Sequence, residues 1–127
     1  MPALLVSKSP PLSGEVTVHG AKNSVLPILA ATLLCGTPCV LHNCPDILDV
    51  THALAILRSL GCASERRGAS VYIDPCGCAG LSVPPELAAS MRASSLFLGA
   101  LLARCGEARL SLPGGCPIGA RPVDYHL

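Results

Sequence analysis

Two hydrophobic periods alternate along this chain, and their order restricts the fold more than any single residue does. Glu15-Val16-Thr17-Val18-His19 alternates with a period of two, the pattern of a half-buried strand, and Gly20 ends it. Residues 21–35 are apolar around most of a helical surface and predict a largely buried helix, stopped by Gly36-Thr37-Pro38. Cys39-Val40-Leu41-His42 reads as a short strand. A second helix is expected from Asp46 to Leu60, with Gly61 as its stop; Ile47, Val50, Leu54 and Leu57 mark its apolar face, and Asp49, His52 and Arg58 lie largely away from it. Residues 62–66 and 70–74 predict a hairpin around Arg67-Gly68-Ala69. Pro84-Pro85-Glu86 then begins a long apolar helix ending near Arg104-Cys105-Gly106, and residues 108–112 form a strand. Strands interleaved with helices in this order define an α/β chain.

Composition removes several function classes. Half of the 127 residues are apolar and only 13% are charged, about half the usual share, which favours a buried body over disorder. The net charge is +1, no basic stripe occurs and aromatic residues make up 2%, so a nucleic-acid partner lacks both a phosphate-facing patch and stacking platforms. The longest apolar stretches, 25–35 and 93–103, fall short of the about 20 residues a bilayer requires. No basic segment followed by an apolar core opens the chain, so it reads as soluble and cytoplasmic. Without a secretion signal, the eight cysteines read as thiols rather than a disulfide framework. Cys35, Cys39, Cys44, Cys62 and Cys105 sit in apolar surroundings and read as small hydrophobes. Cys76-Gly77-Cys78 is half of a zinc-type spacing, but the candidates for the other half, Cys35, Cys39 and Cys44, straddle a predicted helix end and strand, so no metal and no cofactor are expected.

The chemistry concentrates in three places. Lys22 and Asn23 follow Gly20-Ala21 at a strand-to-helix turn, where a first-turn cation beside unpaired helix N–H groups suits a phosphate; the competing reading is an ordinary exposed lysine. Arg92 interrupts an apolar helix, either as a snorkelling side chain or as an anion clamp. The third place is Ser111-Leu112-Pro113-Gly114-Gly115-Cys116-Pro117-Ile118-Gly119-Ala120-Arg121-Pro122-Val123-Asp124. Its glycines and prolines make it a loop, and Pro122 places Arg121 at a helix start. A loop thiol beside a helix N-terminus and a guanidinium has its pKa lowered from about 8.5 into the range of about 3.5–7.5. Such a thiol both donates a proton and acts as a nucleophile. Three cationic places point to a substrate carrying several negative charges.

Residues 14–23, Met91-Arg92-Ala93-Ser94 and the run from Leu112 to Asp124 together resemble the UDP-N-acetylglucosamine 1-carboxyvinyltransferases, the enolpyruvyl transferases of bacterial peptidoglycan synthesis, within the EPSP synthase-like superfamily. The likeness is collinear and extends over essentially the whole chain. It implies a partial enolpyruvate transferase fold, an inside-out α/β barrel built from βαβαββ repeats, as a fragment of a two-domain protein. Residues 1–20 would be a strand segment belonging to the other, mostly absent domain, and 21–127 an incomplete domain carrying the cysteine loop. The implied reaction transfers the enolpyruvyl group of phosphoenolpyruvate to the 3-hydroxyl of UDP-N-acetylglucosamine and releases phosphate. Lys22 and Asn23 would hold phosphoenolpyruvate. Arg92, Arg121, Pro122, Val123, Asp124 and Tyr125 would bind the UDP-sugar. Cys116 would protonate the substrate methylene and be the target of fosfomycin. Pro117 stands where the family carries small or polar residues, and Tyr125 where it carries an aliphatic one. Alone, the chain is expected to turn over little or no substrate, its partner being the remaining portion of its own protein. The alternatives are a cysteine-rich metal-binding module and a non-catalytic UDP-sugar-binding module.

Overall fold

The computed structural model describes residues 3–114. Residues 3–20 form neither helix nor strand, and Val16 and Val18 are 88% and 84% exposed. The strand expected at 15–19 is therefore absent. A period-two pattern becomes a strand only when a neighbouring strand takes its N–H and C=O groups, and none of the described strands does so.

The expected first helix is present as α1 (Lys22–Ala31), tightening into a 3-10 turn over Thr32–Leu34. Its buried side carries Val25, Leu26, Leu29 and Ala30, while Pro27, Ile28 and Leu34 face outward, so it is less enclosed than its apolarity implies. Thr32 Oγ1 donates to the Leu29 carbonyl at 2.7 Å, a back-bond that accompanies the tightening. Strand β1 (Cys39–Leu41) leads to α2 (Leu48–Ser59). This helix opens later than Asp46, from an extended Ile47 without a side-chain cap. Arg66 holds the preceding turn through Nη1 to the Cys44 carbonyl (3.2 Å) and Nη2 to the Pro45 carbonyl (2.9 Å).

The hairpin β2 (Ala63–Arg67) and β3 (Ser70–Asp74) forms as expected, with Arg67 paired to Ser70 across Gly68-Ala69. β1 adds antiparallel to β3, giving the order β1-β3-β2. Val71 and Ile73 point from β3 into the core, whereas Tyr72 points outward beneath the Arg67 guanidinium, 4.9 Å from its ring centre. The run α1-β1-α2-β2-β3 is thus a βαβαββ unit without its first strand.

The long helix expected after Pro84 is broken. α3 (Pro85–Ser90) ends at an extended Met91, a 3-10 turn spans Arg92–Ser95, and α4 (Leu96–Cys105) follows. Ser90 Oγ donates to the Leu87 carbonyl and Ser94 Oγ to the Ala88 carbonyl, drawing the backbone away from continuous α-helix. Gly106, in the left-handed region, ends α4 as expected. The strand predicted at 108–112 shortens to β5 (Arg109–Leu110), which pairs in parallel with β4 (Ser82–Val83). α1 packs on α2 and α4, and the core gathers Leu29, Leu33, Ile56, Leu57, Val71, Ile73 and Phe97.

Cys44 and Cys62 are buried in that core, as their apolar surroundings implied, and Cys35, Cys39 and Cys105 are half-buried. Burial, reinforced by the neighbouring Cys78 thiol, pushes the Cys62 thiol up to about 12 from 9.0. The folded state then holds a proton that the unfolded state releases above pH 9.0, so this contribution to stability is lost as pH rises from 9.0 toward about 12. Urea midpoints are expected to fall across that window, and less steeply in Cys62→Ala. Equal slopes in the two proteins would contradict the assignment.

Candidate active site

Lys22 is the first residue of α1 and Asn23 the second, and both are exposed. Neither the helix N-cap nor its first turn carries an acidic or capping side chain, which leaves the positive end of the helix dipole facing outward. Gly20 fixes how this end is presented. A Cβ there would overlap the Asn43 carbonyl and approach Pro45, so the α1 entry lies directly against the turn that precedes α2. That approach brings the helix starts together, and Lys22 Nζ forms an ion pair with Asp49 in the first turn of α2. Asp49 is the site residue that sequence reasoning missed: its place off the apolar face was legible, its partner was not. With the lysine side chain more than half exposed, the pair contributes on the order of 0–1 kcal/mol to stability. Its consequence is to hold the ammonium at the mouth of α1.

Arg92 is half-buried and opens the 3-10 turn between α3 and α4 rather than lying within a continuous helix. Beside it, the described part of the cysteine loop is seated on α3. Gly114 N–H donates to the Ala88 carbonyl at 3.1 Å, and a Cβ on Gly114 would overlap the Ala89 backbone. The structure therefore joins the Arg92 turn to the base of the loop. Lys22 is tied to Asp49 and shares no hydrogen bond or ion pair with Arg92 among the described residues. Cys116, Arg121, Pro122, Val123, Asp124 and Tyr125 lie outside the described residues.

Among the described residues no group of three or more His, Cys, Asp or Glu side chains is arranged to hold a metal ion, so Cys76 and Cys78 have no completing ligands there. An apolar groove of about 200 Å³ lies between α1 and α4, lined by Pro27, Ala30, Ala31, Leu34, Leu96, Gly99 and Ala100; it offers no charge to an anionic ligand. No helix of the described residues is long and apolar enough to cross a membrane.

Two of the candidate residues are thus placed at element starts, Lys22 at the start of α1 and Arg92 in the 3-10 turn beside the glycine-seated base of the loop. The chain belongs to the EPSP synthase (3-phosphoshikimate 1-carboxyvinyltransferase) family, whose model matches residues 6–127. Within that family its similarity runs to enzymes named UDP-N-acetylglucosamine 1-carboxyvinyltransferase. It is 50% identical over 128 residues to that of Cellvibrio japonicus, 48% over 128 residues to that of Pseudoalteromonas atlantica and 46% over 127 residues to that of Psychrobacter arcticus. Each match covers 100% of this chain but 30% of the relative, so the chain spans about a third of their length. Among solved structures, the enolpyruvyl transferase NikO from Streptomyces tendae matches with a TM-score of 0.68 and 29% identity, covering 75% of this chain and 22% of NikO. The partial α/β enolpyruvate transferase fold expected from the sequence is the fold observed.

Proposed function

We propose that this chain is part of an enzyme transferring the enolpyruvyl group of phosphoenolpyruvate to the 3-hydroxyl of UDP-N-acetylglucosamine, with release of phosphate. The observation that carries the reading is the 46–50% identity, along the whole chain, to enzymes of that name. Lys22 and Asn23, at the uncapped start of α1, would take the phosphate and carboxylate of phosphoenolpyruvate, the anion displacing Asp49 from Lys22. Arg92, together with Arg121, Pro122, Val123, Asp124 and Tyr125, would bind the UDP-sugar.

Cys116 would give its proton to the methylene carbon of phosphoenolpyruvate. The adjacent carbon becomes cationic, the sugar 3-hydroxyl adds to it and gives up its own proton to a base from the remainder of the enzyme, and a tetrahedral ketal forms. Loss of phosphate and a proton then leaves the enol ether. Glycines around Cys116 would let its loop close over the substrates and exclude water. In a bacterial cytoplasm this is a step of peptidoglycan synthesis, and the thiol would be the site of alkylation by fosfomycin.

Residues 1–20 would pair as a strand in the other domain of the complete enzyme. Exposed Val16 and Val18, which find no sheet here, support that reading. The apolar groove between α1 and α4, which no described residue covers, supports the remainder of the protein as the partner of this chain.

Residues 1–127, grafted in place of the matched segment of the Cellvibrio japonicus relative, are expected to yield an enzyme that releases phosphate only when both substrates are present. The isolated chain is expected to show little or no turnover. An inactive graft beside an active parent would overturn the proposal.

A further inference from the structure

We infer that Ser94 is a positioning residue, tying the Arg92 turn to the base of the cysteine loop through a single backbone oxygen, the carbonyl of Ala88. In a continued helix that oxygen would accept the N–H of Arg92. The chain instead leaves α3 at Met91, with φ −150° and ψ 148°, and the buried carbonyl loses its helical donor. Two other donors replace it: Ser94 Oγ at 2.8 Å and the N–H of Gly114 at 3.1 Å. A carbonyl oxygen has two lone pairs, and both are used here. Ser94 is 0% exposed, so no water substitutes for its hydroxyl from the surface. Gly114 meets the backbone of Ala89 so closely that no side chain fits at that position.

The two segments that share this oxygen are the ones that carry chemistry. Ser94 stands two residues after Arg92, and Gly114 two residues before Cys116. A change at the Ala88 carbonyl therefore reaches the sugar-facing arginine and the entry to the thiol-bearing loop together. Ser94 touches no substrate in this account; it acts through the backbone it holds. The inference rests on the enolpyruvyl reading for its catalytic consequence, but the anchor itself is testable without turnover.

The test uses the grafted enzyme with Ser94→Ala, Ser94→Thr, Gly114→Ala and a control, Val71→Ala, which opens a cavity under β3 far along the chain. At a temperature well below melting, Ser94→Ala is expected to lower kcat by about tenfold or more, and Ser94→Thr to recover most of it because the hydroxyl remains. Val71→Ala is expected to lower the melting temperature yet keep kcat within about twofold. In parallel, the rate of carboxymethylation of Cys116 relative to exposed Cys76 is read by peptide mass spectrometry. That ratio is expected to change by about threefold or more in Ser94→Ala and Gly114→Ala, and to stay constant in Val71→Ala.

If Ser94→Ala matches Val71→Ala in both readouts, the inference is wrong. If the graft is inactive but the labelling ratio shifts, the anchor stands and the enolpyruvyl reading fails. Should Ser94→Ala not fold, Gly114→Ala decides, since its added methyl presses on the Ala89 backbone and parts the Gly114 N–H from the Ala88 carbonyl without altering Ser94; an unchanged ratio there overturns the anchor.

Discussion

Cys116→Ser, made in the grafted enzyme, is expected to lower kcat by about 10²–10⁴-fold while leaving the KM for UDP-N-acetylglucosamine nearly unchanged. The proposed reaction begins when carbon is protonated, and a thiol is a far stronger acid than an alcohol. A serine hydroxyl is of nearly the same size but too weak an acid to protonate carbon. The sugar nucleotide would be held by Arg92 and the residues from Arg121 to Tyr125, none of which the substitution touches. A loss confined to kcat is the signature of an interaction made in the transition state, whereas a rise in KM alone would mean that Cys116 only lines the site. Product formation at an undiminished rate with serine in place would remove the central role assigned to Cys116.

What the sequence revealed divides along the range of the interactions involved. α2 and the β2–β3 hairpin were legible because their causes are local. Val50, Leu54 and Leu57 recur at helical spacing, and Gly68-Ala69 turns the chain between alternating strands. The break at Met91 was not legible: residues 85–104 are mostly good helix formers, and the feature that relieves the orphaned Ala88 carbonyl includes Gly114, far along the chain. The ion pair of Lys22 with Asp49 has the same character, since it exists only because Gly20 lets the starts of α1 and α2 meet. β4 is two residues long and carries no periodicity to detect. The strand pattern at 15–19 is genuine as a pattern, but a strand is a property of a pair. Of the proposed site, the cations and the thiol among glycines could be read as residue types, whereas the Asp49 partner of Lys22 and the turn that carries Arg92 could not.

Arg104→Ala is expected to lower folding stability by about 3–4 kcal/mol and the melting temperature by on the order of 10 °C or more. Sequence alone shows this arginine only as the polar end of an apolar helix. In the fold its guanidinium leaves α4 and takes three backbone carbonyls from two other segments: Nη1 donates to Leu33 at 2.6 Å and Cys35 at 3.2 Å, and Nη2 to Pro75 at 2.9 Å. Leu33 and Pro75 are buried, so their oxygens have little water to turn to once the donors are gone. Hydrogen bonds from a charged donor contribute about 1.5–3 kcal/mol each, and sharing one side chain keeps the three from adding fully. Against a total of about 5–15 kcal/mol for a domain of this kind, the loss is severe. Arg104→Lys tests the geometry separately. An ammonium keeps the charge but lacks the planar fork that reaches the end of the α1 turn and the exit of β3 at once, so it should recover less than half of the loss. Urea unfolding with an unchanged m value would report stability rather than altered compactness. A midpoint for Arg104→Ala equivalent to a change below about 0.5 kcal/mol would show that these carbonyls are satisfied by other means, and that the arginine does not join α4 to the sheet.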